Sequence, residues 1–433
     1  MAFPHPNPPP QGGRESGRLA SLTTLDWLKN TGARPIASAL VYNQNMLFRI
    51  AIACLIIAAL AAAAFALARE PGPGQALSLS LIFGAVFGFV LQRSRFCFFC
   101  MFRDWFDEGD PRGLLGLLVA LAVGIAGYTL VFGAWLPDPA SGRLPPDAFI
   151  GPISGVLVLA GLAFGAGMAI SGSCVSAHLY RLGEGSPTAP FALAGTLIGF
   201  IAGFATWNPL YLSTVSAAPM LWLPAWRGYA GAMAASLAAL GILAWVIARG
   251  WKTVRQEPAA SPWQAVFINR WPAWAGGLAV GALGMAAYLR VQPLGVTAEI
   301  AARARAAGDT LGLLPTRLEG LDTLRGCIAV AQDVLLSPNG CFVGAMILAA
   351  FAAALVAGQF RPVWPSADQV VRGLLGGVLL GWGAMTGLGC TVGTLMSGIM
   401  AGAVSGWVFG ASVFAAIAVT LWLGRRARLL PAP

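Results

Sequence analysis

Cysteine is the residue type in this chain with the widest chemical scope, and its seven copies stand at 54, 97, 100, 174, 327, 341 and 390. Cys97 and Cys100 form one Cys-x-x-Cys, but no second such pair exists to complete a metal site. An odd count, mostly inside or beside apolar segments, also speaks against a disulfide framework. The remaining use is a thiol in apolar surroundings, which keeps its proton and offers a weak, polarisable S–H donor without negative charge. Such a donor suits a large soft anion, above all a sulfur-containing one. A carboxylate would repel that anion, and a lysine would hold it too long.

Two of these cysteines close an internal repeat. When the segment ending at Cys174 is laid on the one ending at Cys390, Gly161, Gly165 and Gly167 fall on Gly377, Gly381 and Gly383 without a gap, and Leu179 falls on Leu395. The surroundings read GLAFGAGMAISGSCVSAHL and GVLLGWGAMTGLGCTVGTL. A weaker pair lies upstream, where SRFCFFC around Cys97 and SPNGCFVG around Cys341 share Cys-Phe.

The elements that must position these thiols are membrane spans. Charged residues make up 10% of the 433 and hydrophobic residues 57%, with mean hydropathy +0.73, far from the composition of soluble domains. Ten apolar runs, near 47–68, 75–92, 113–135, 152–173, 189–206, 229–248, 272–290, 340–358, 369–388 and 402–424, approach or exceed the length needed to cross a bilayer as helix. The runs are continuous rather than alternating, which excludes a β-barrel. The fold class expected is therefore all-α, a polytopic helical membrane protein. Each cysteine pair is five spans apart, an odd number, so the two copies enter the membrane in opposite senses as inverted repeats. In such folds the substrate meets helices broken by Gly or Pro near the midplane, and Ser171 to Ser176 and Gly387 to Thr391 suit such breaks.

The expected organisation is a disordered Pro- and Gly-rich tail over 1–40, a first membrane repeat over 41–210, and a second over 211–433 carrying a 291–338 loop insertion. The net charge of +10 sits in short segments between apolar runs and not on one basic face, which points to topology and not to nucleic acid. Basic groups at Arg14 to Arg49, Arg249 to Arg270 and Arg425 to Arg428 all lie inside only if both termini are cytoplasmic. Arg303, Arg305, Arg317 and Arg325 in the 291–338 segment fit that rule poorly.

QRSRFCF at Gln92 to Phe98, GSCVSAHLYRLGEGS at Gly172 to Ser186 and GLGCTVGTLMSGIMAGAVSGW at Gly387 to Trp407 resemble the YeeE/YedE family of sulfur-compound transporters. The resemblance covers about 75–424. It implies an inverted-repeat bundle pinched at its centre, in which cysteines line the route of thiosulfate or a related sulfur anion. The role carries over to Cys97, Cys174 and Cys390, with Cys341 as repeat partner of Cys97. It further implies a TusA-type sulfur carrier as cytoplasmic partner and a bacterial inner-membrane location. Family motifs commonly read Gly-Gly-Cys, where this chain has Gly172-Ser173-Cys174 and Gly387-Leu388-Gly389-Cys390.

His178 and Arg181 lie just past Cys174 and, with Arg95, are candidates to attract the anion. No cofactor is expected, and the G-x-x-x-x-G-K-[ST] pattern of an ATP site is absent. Two rivals stay open: a selenium-compound transporter, and a membrane-embedded thiol sulfurtransferase, for which His178 would have to serve as the base beside Cys174.

Overall fold

The computed structural model describes residues 34–249, 261–321, 324, 337–428 and 430, with side chains from Met46 onward. Residues 1–33 of the expected tail, Lys252, Arg255, Arg325 and Cys327 lie outside the described residues, while 34–40, expected in the tail, belong to the first helix.

Helices occupy all ten apolar runs. In chain order they are α1 (Arg34–Ala68), α2 (Gly74–Ser94), α3 (Phe98–Glu108), α4 (Arg112–Trp135), α5 (Gly155–Ser171), α6 (Val175–Gly183), α7 (Ala189–Leu210), α8 (Leu223–Ala248), α9 (Ala273–Arg290), α10 (Ala298–Thr310), α11 (Pro338–Val356), α12 (Ala367–Thr386), the π-helical segment Thr391–Ser397 continued by α13 (Gly398–Met400), and α14 (Val404–Arg426). Eight stretches are long and apolar enough to cross a membrane, and α12 with Thr391–Met400 makes a ninth that is bent by 44°. The tenth run is α9, 18 residues long and ending on Arg290. Serine hydroxyls mark several starts: Ser154, Ser337 and Ser366 accept from Leu157, Gly340 and Gln369 N–H groups, satisfying donors that a helix N-terminus leaves orphaned.

The structure differs from expectation in the 291–338 segment. It is not a plain insertion, because AEIAARARAAGDT forms α10, with Glu299 and Arg303 paired one turn apart. In chain order α10 stands to α9 and α11 as α3 stands to α2 and α4.

Glycine contacts fix how the two copies meet. A Cβ on Gly167 would come within 2.8 Å of Leu380 N, and one on Gly383 within 2.8 Å of Phe164 N. Each contact is the image of the other under the displacement that carries Cys174 onto Cys390. Gly376 meets Ser171 while Gly387 meets Ala160, a second image pair. As residue numbers rise along α5 they fall along α12, so these equivalent helices lie antiparallel. Equivalent helices in antiparallel contact are related by an axis across them, which is the geometry of an inverted repeat.

The copies also interlock. Gly165 of α5 is pressed on Val413 O of α14, and its image Gly381 of α12 is pressed on Thr196 O of α7. In the same way Gly84 and Gly88 of α2 lie against Phe342 O and Met346 O of α11, while Gly277 and Gly281 of α9 lie against Gly116 O and Ala120 O of α4. Small residues let backbones approach this closely where lipid provides no hydrophobic drive between helices.

Candidate functional site

Each expected break falls beside its cysteine. Helix α5 ends at Gly172, whose φ of 82° places it in the left-handed region that glycine enters freely, and its N–H closes on Met168 O. Cys174 then caps α6 in extended backbone. In the second copy α12 ends through Leu388 and Gly389, both at positive φ, and Cys390 caps the π-helical segment. The two breaks are braced alike. His178 Nε2 is hydrogen bonded to Ser171 Oγ at 3.1 Å, and at the matching positions Thr394 Oγ1 donates to Gly387 O at 3.1 Å.

Cys97, Cys174 and Cys390 are all buried. Cys97 caps α3, and its thiol lies close to those of Cys100 and Cys174. Cys174 Sγ is also 3.2 Å from Ser176 Oγ. Three thiols therefore gather where α3 and α6 begin, with the positive ends of both backbones turned on them. Arg181 completes the cluster, donating to Ser173 Oγ at 2.5 Å and to Cys100 Sγ at 3.1 Å. The one sequence signal for Cys100 is the Cys97-x-x-Cys100 spacing on one helical turn, which by itself carries little weight.

Cys390 stands at the other end of the α5–α12 contact. Ala160 and Ser171, which touch the two ends, are separated by roughly 16 Å of helix. Beside this break is a pocket with an empty volume of about 370 Å³, lined by Ser154, Thr386, Leu388, Thr394 and Ser405 among others. Its polar groups are hydroxyls and backbone, with no charge.

Cys341 is not the structural counterpart of Cys97. The contact pairing that carries Gly84 and Gly88 onto Gly277 and Gly281 carries Phe342 onto Gly116, and so Cys341 onto Leu115. Cys341 is half-buried on the first turn of α11, packed toward Leu60, Ala64 and Leu81. The shared Cys-Phe letters are misleading, because one cysteine follows a span and the other begins one. The cap position equivalent to Cys97 holds Thr297, which precedes α10.

His178 is buried and turned to Ser171, while its Nδ1 has no partner. Arg95 closes α2 in left-handed backbone with its Nε buried and unpaired. Its neighbour Arg93 is fully buried and structural, donating to Phe267 O and Ile268 O at 2.8 Å and to Gln359 Oε1 at 2.9 Å. Among the described residues no group of three or more His, Cys, Asp or Glu side chains could hold a metal ion.

A profile described as sulphur transport matches residues 93–419. The thiosulfate transporter TsuA of Spirochaeta thermophila is 28% identical over 347 residues, 77% of this chain and 94% of that protein. The thiosulfate transporter TsuA of Escherichia coli is 27% identical over 377 residues, 81% of this chain and 97% of that protein. The probable transporter YedE of Escherichia coli is 29% identical over 126 residues, 28% of each chain. The matched span runs from the arginine that precedes the first thiol cluster to well inside α14, and this polytopic helical membrane protein belongs to the sulphur-transport family.

Proposed function

We propose that this protein imports thiosulfate or a closely related sulfur oxyanion, passing it between successive cysteine thiols. The observation that carries the reading is the cluster of buried Cys97 and Cys174 with half-buried Cys100 at two helix starts, with Cys390 in the matching place of the opposed copy. Uncharged S–H donors and helix N-termini bind a soft anion without neutralising it, and conduction needs sites that are several and individually weak. Arg181 adds one full positive charge beside the thiols, already shared with Ser173 and Cys100. The names of the two full-length relatives support thiosulfate as the substrate.

Several finer assignments belong to the same proposal. The two working units are 41–210 and 211–433, and the membrane is the bacterial inner membrane. The end of the bundle carrying Arg93, Arg95, Arg103, Arg181, Arg270 and Arg425 is cytoplasmic, as the positive-inside rule requires, with both termini on that side. A TusA-type sulfur carrier receives the anion there. The Cys174 end of the α5–α12 contact is then the inner one and the Cys390 end the outer one.

The test is growth of cells lacking their own thiosulfate uptake, with thiosulfate as sole sulfur source. Growth with the wild type and failure with Cys174→Ala and with Cys390→Ala, at equal membrane abundance, supports the reading. Selenite-dependent restoration of a selenoenzyme without growth on thiosulfate replaces it by selenium transport. Equal growth by wild type and both variants removes the thiols from the mechanism.

A further inference from the structure

The two copies match in backbone, but one position on the route has changed its chemistry. In the first copy Cys97 caps α3, fully buried, with its thiol close to that of Cys174. In the second copy the residue in that place is Thr297, capping α10. It too is fully buried. Ser397 Oγ donates to Leu294 O at 3.1 Å and so ties the turn that carries Thr297 to the segment that Cys390 caps. The second copy therefore sets a cap hydroxyl and a cap thiol where the first sets two thiols.

The Thr297 hydroxyl is in an unusual condition. A threonine at a helix N-cap ordinarily accepts from an N–H of the first turn. Thr297 does not: its φ of −94° and ψ of −17° are helical, and its side chain makes no capping bond. Its Oγ1 is out of contact with solvent and has no hydrogen-bond partner. A buried hydroxyl left unpaired is destabilising, and native structures keep such groups where a ligand, ion or water completes them. The group has a proton to donate, sits beside the exposed N–H groups that open α10, and lies in the fold position that holds a thiol in the other copy.

We propose that Thr297 is a substrate-contacting residue, donating its hydroxyl proton to an oxygen of the sulfur oxyanion when the anion is at Cys390. This inference rests on the transport reading and extends it. The second copy then holds the two chemical ends of the anion differently, oxygen by a hydroxyl and sulfur by a thiol, whereas the first offers thiols to both. An oxyanion is thereby favoured over a sulfur or selenium species without oxygen.

The experiment measures uptake of radiolabelled thiosulfate into proteoliposomes by the full-length wild type, Thr297→Val, Thr297→Ser and Thr297→Cys. Valine keeps the shape and removes the donor, so KM is expected to rise about tenfold or more while the maximal rate changes less. Serine keeps the donor and is expected to transport like wild type. In Thr297→Cys, alkylation at 297 by a small maleimide, read by mass spectrometry, is expected to be slowed by thiosulfate. The inference is overturned if Thr297→Val transports with unchanged KM, if Thr297→Ser is as impaired as Thr297→Val, or if thiosulfate leaves alkylation unchanged. A wild type that moves no thiosulfate and no other sulfur oxyanion overturns the transport reading itself, and this inference with it.

Discussion

The first and second copies of the repeat use one backbone for two kinds of surface. Around Cys174 the structure gathers Cys97, Cys100, His178 and Arg181, a site with three thiols and one full positive charge. Around Cys390 the positions that match Cys97, His178 and Arg181 hold the hydroxyls of Thr297, Thr394 and Ser397, and the one that matches Cys100 holds Ile300, so none of the four carries a charge. The braces across the two breaks are geometrically alike, although one is an imidazole on a serine and the other a hydroxyl on a backbone carbonyl. Architecture has been kept while chemistry has diverged. On the proposed reading, a thiol and hydroxyls at the second break would hold the anion more weakly than the first break, where the Arg181 guanidinium is at hand.

The most damaging change should be one that breaks the contact on which the comparison depends. Gly165→Leu and Gly381→Leu each drive a branched side chain into a backbone carbonyl of the partner helix. Overpacking typically costs about 1–3 kcal/mol and more where backbone must move. Both variants should lose folded protein, seen as a collapsed monodisperse peak in detergent. A large loss at one glycine and none at its image would break the equivalence of the copies.

Next in size is the removal of the central thiols. Cys174→Ala and Cys390→Ala should each lower uptake about tenfold or more, with unchanged abundance and thermal stability. If only one matters, the series arrangement of thiols is wrong. A smaller effect is expected at the charge. Arg181→Met removes the donor to Ser173 and Cys100, and uptake at low substrate should fall several-fold, less than a full charge-assisted hydrogen bond because the guanidinium is already shared with those two groups. The loss should grow as ionic strength falls if Arg181 also attracts the anion. Uptake that is insensitive to the substitution would make the two breaks chemically equal after all.

The smallest effect should come from the braces. Thr394→Val removes its bond to Gly387 O, and His178→Leu its partner at Ser171. Each should cost about 1 kcal/mol of stability, readable as a shift in Tm of a few degrees or less. A much larger loss at His178 than at Thr394 would sharpen the asymmetry, giving the imidazole a role beyond bracing.

Much of this architecture is legible in the amino-acid sequence, because burial in lipid writes itself into local composition. The ten apolar runs are all helices, and the Gly161, Gly165, Gly167 register locates both breaks to within a few residues. Short helices such as α3, α6 and α10 are harder to see, since at 11, 9 and 13 residues they are too short to register as membrane spans. The pairing of Cys97 with Cys341 fails for a related reason: two letters in common carry no information about where a span begins or ends.

Hydropathy and glycine spacing are properties of one stretch of chain, and they survive without knowledge of neighbours. They are enough to place the chain in the bilayer, to show that it is built twice in opposite senses, and to put Cys174 and Cys390 at equivalent breaks. Three-dimensional packing alone settles that each copy lays its broken helix on the last helix of the other and that Arg181 meets Cys100, and the folded chain shows that Thr297 caps α10 as Cys97 caps α3. Those facts depend on which helix faces which across a crowded interface, and hydropathy is nearly the same on every face of helices this apolar.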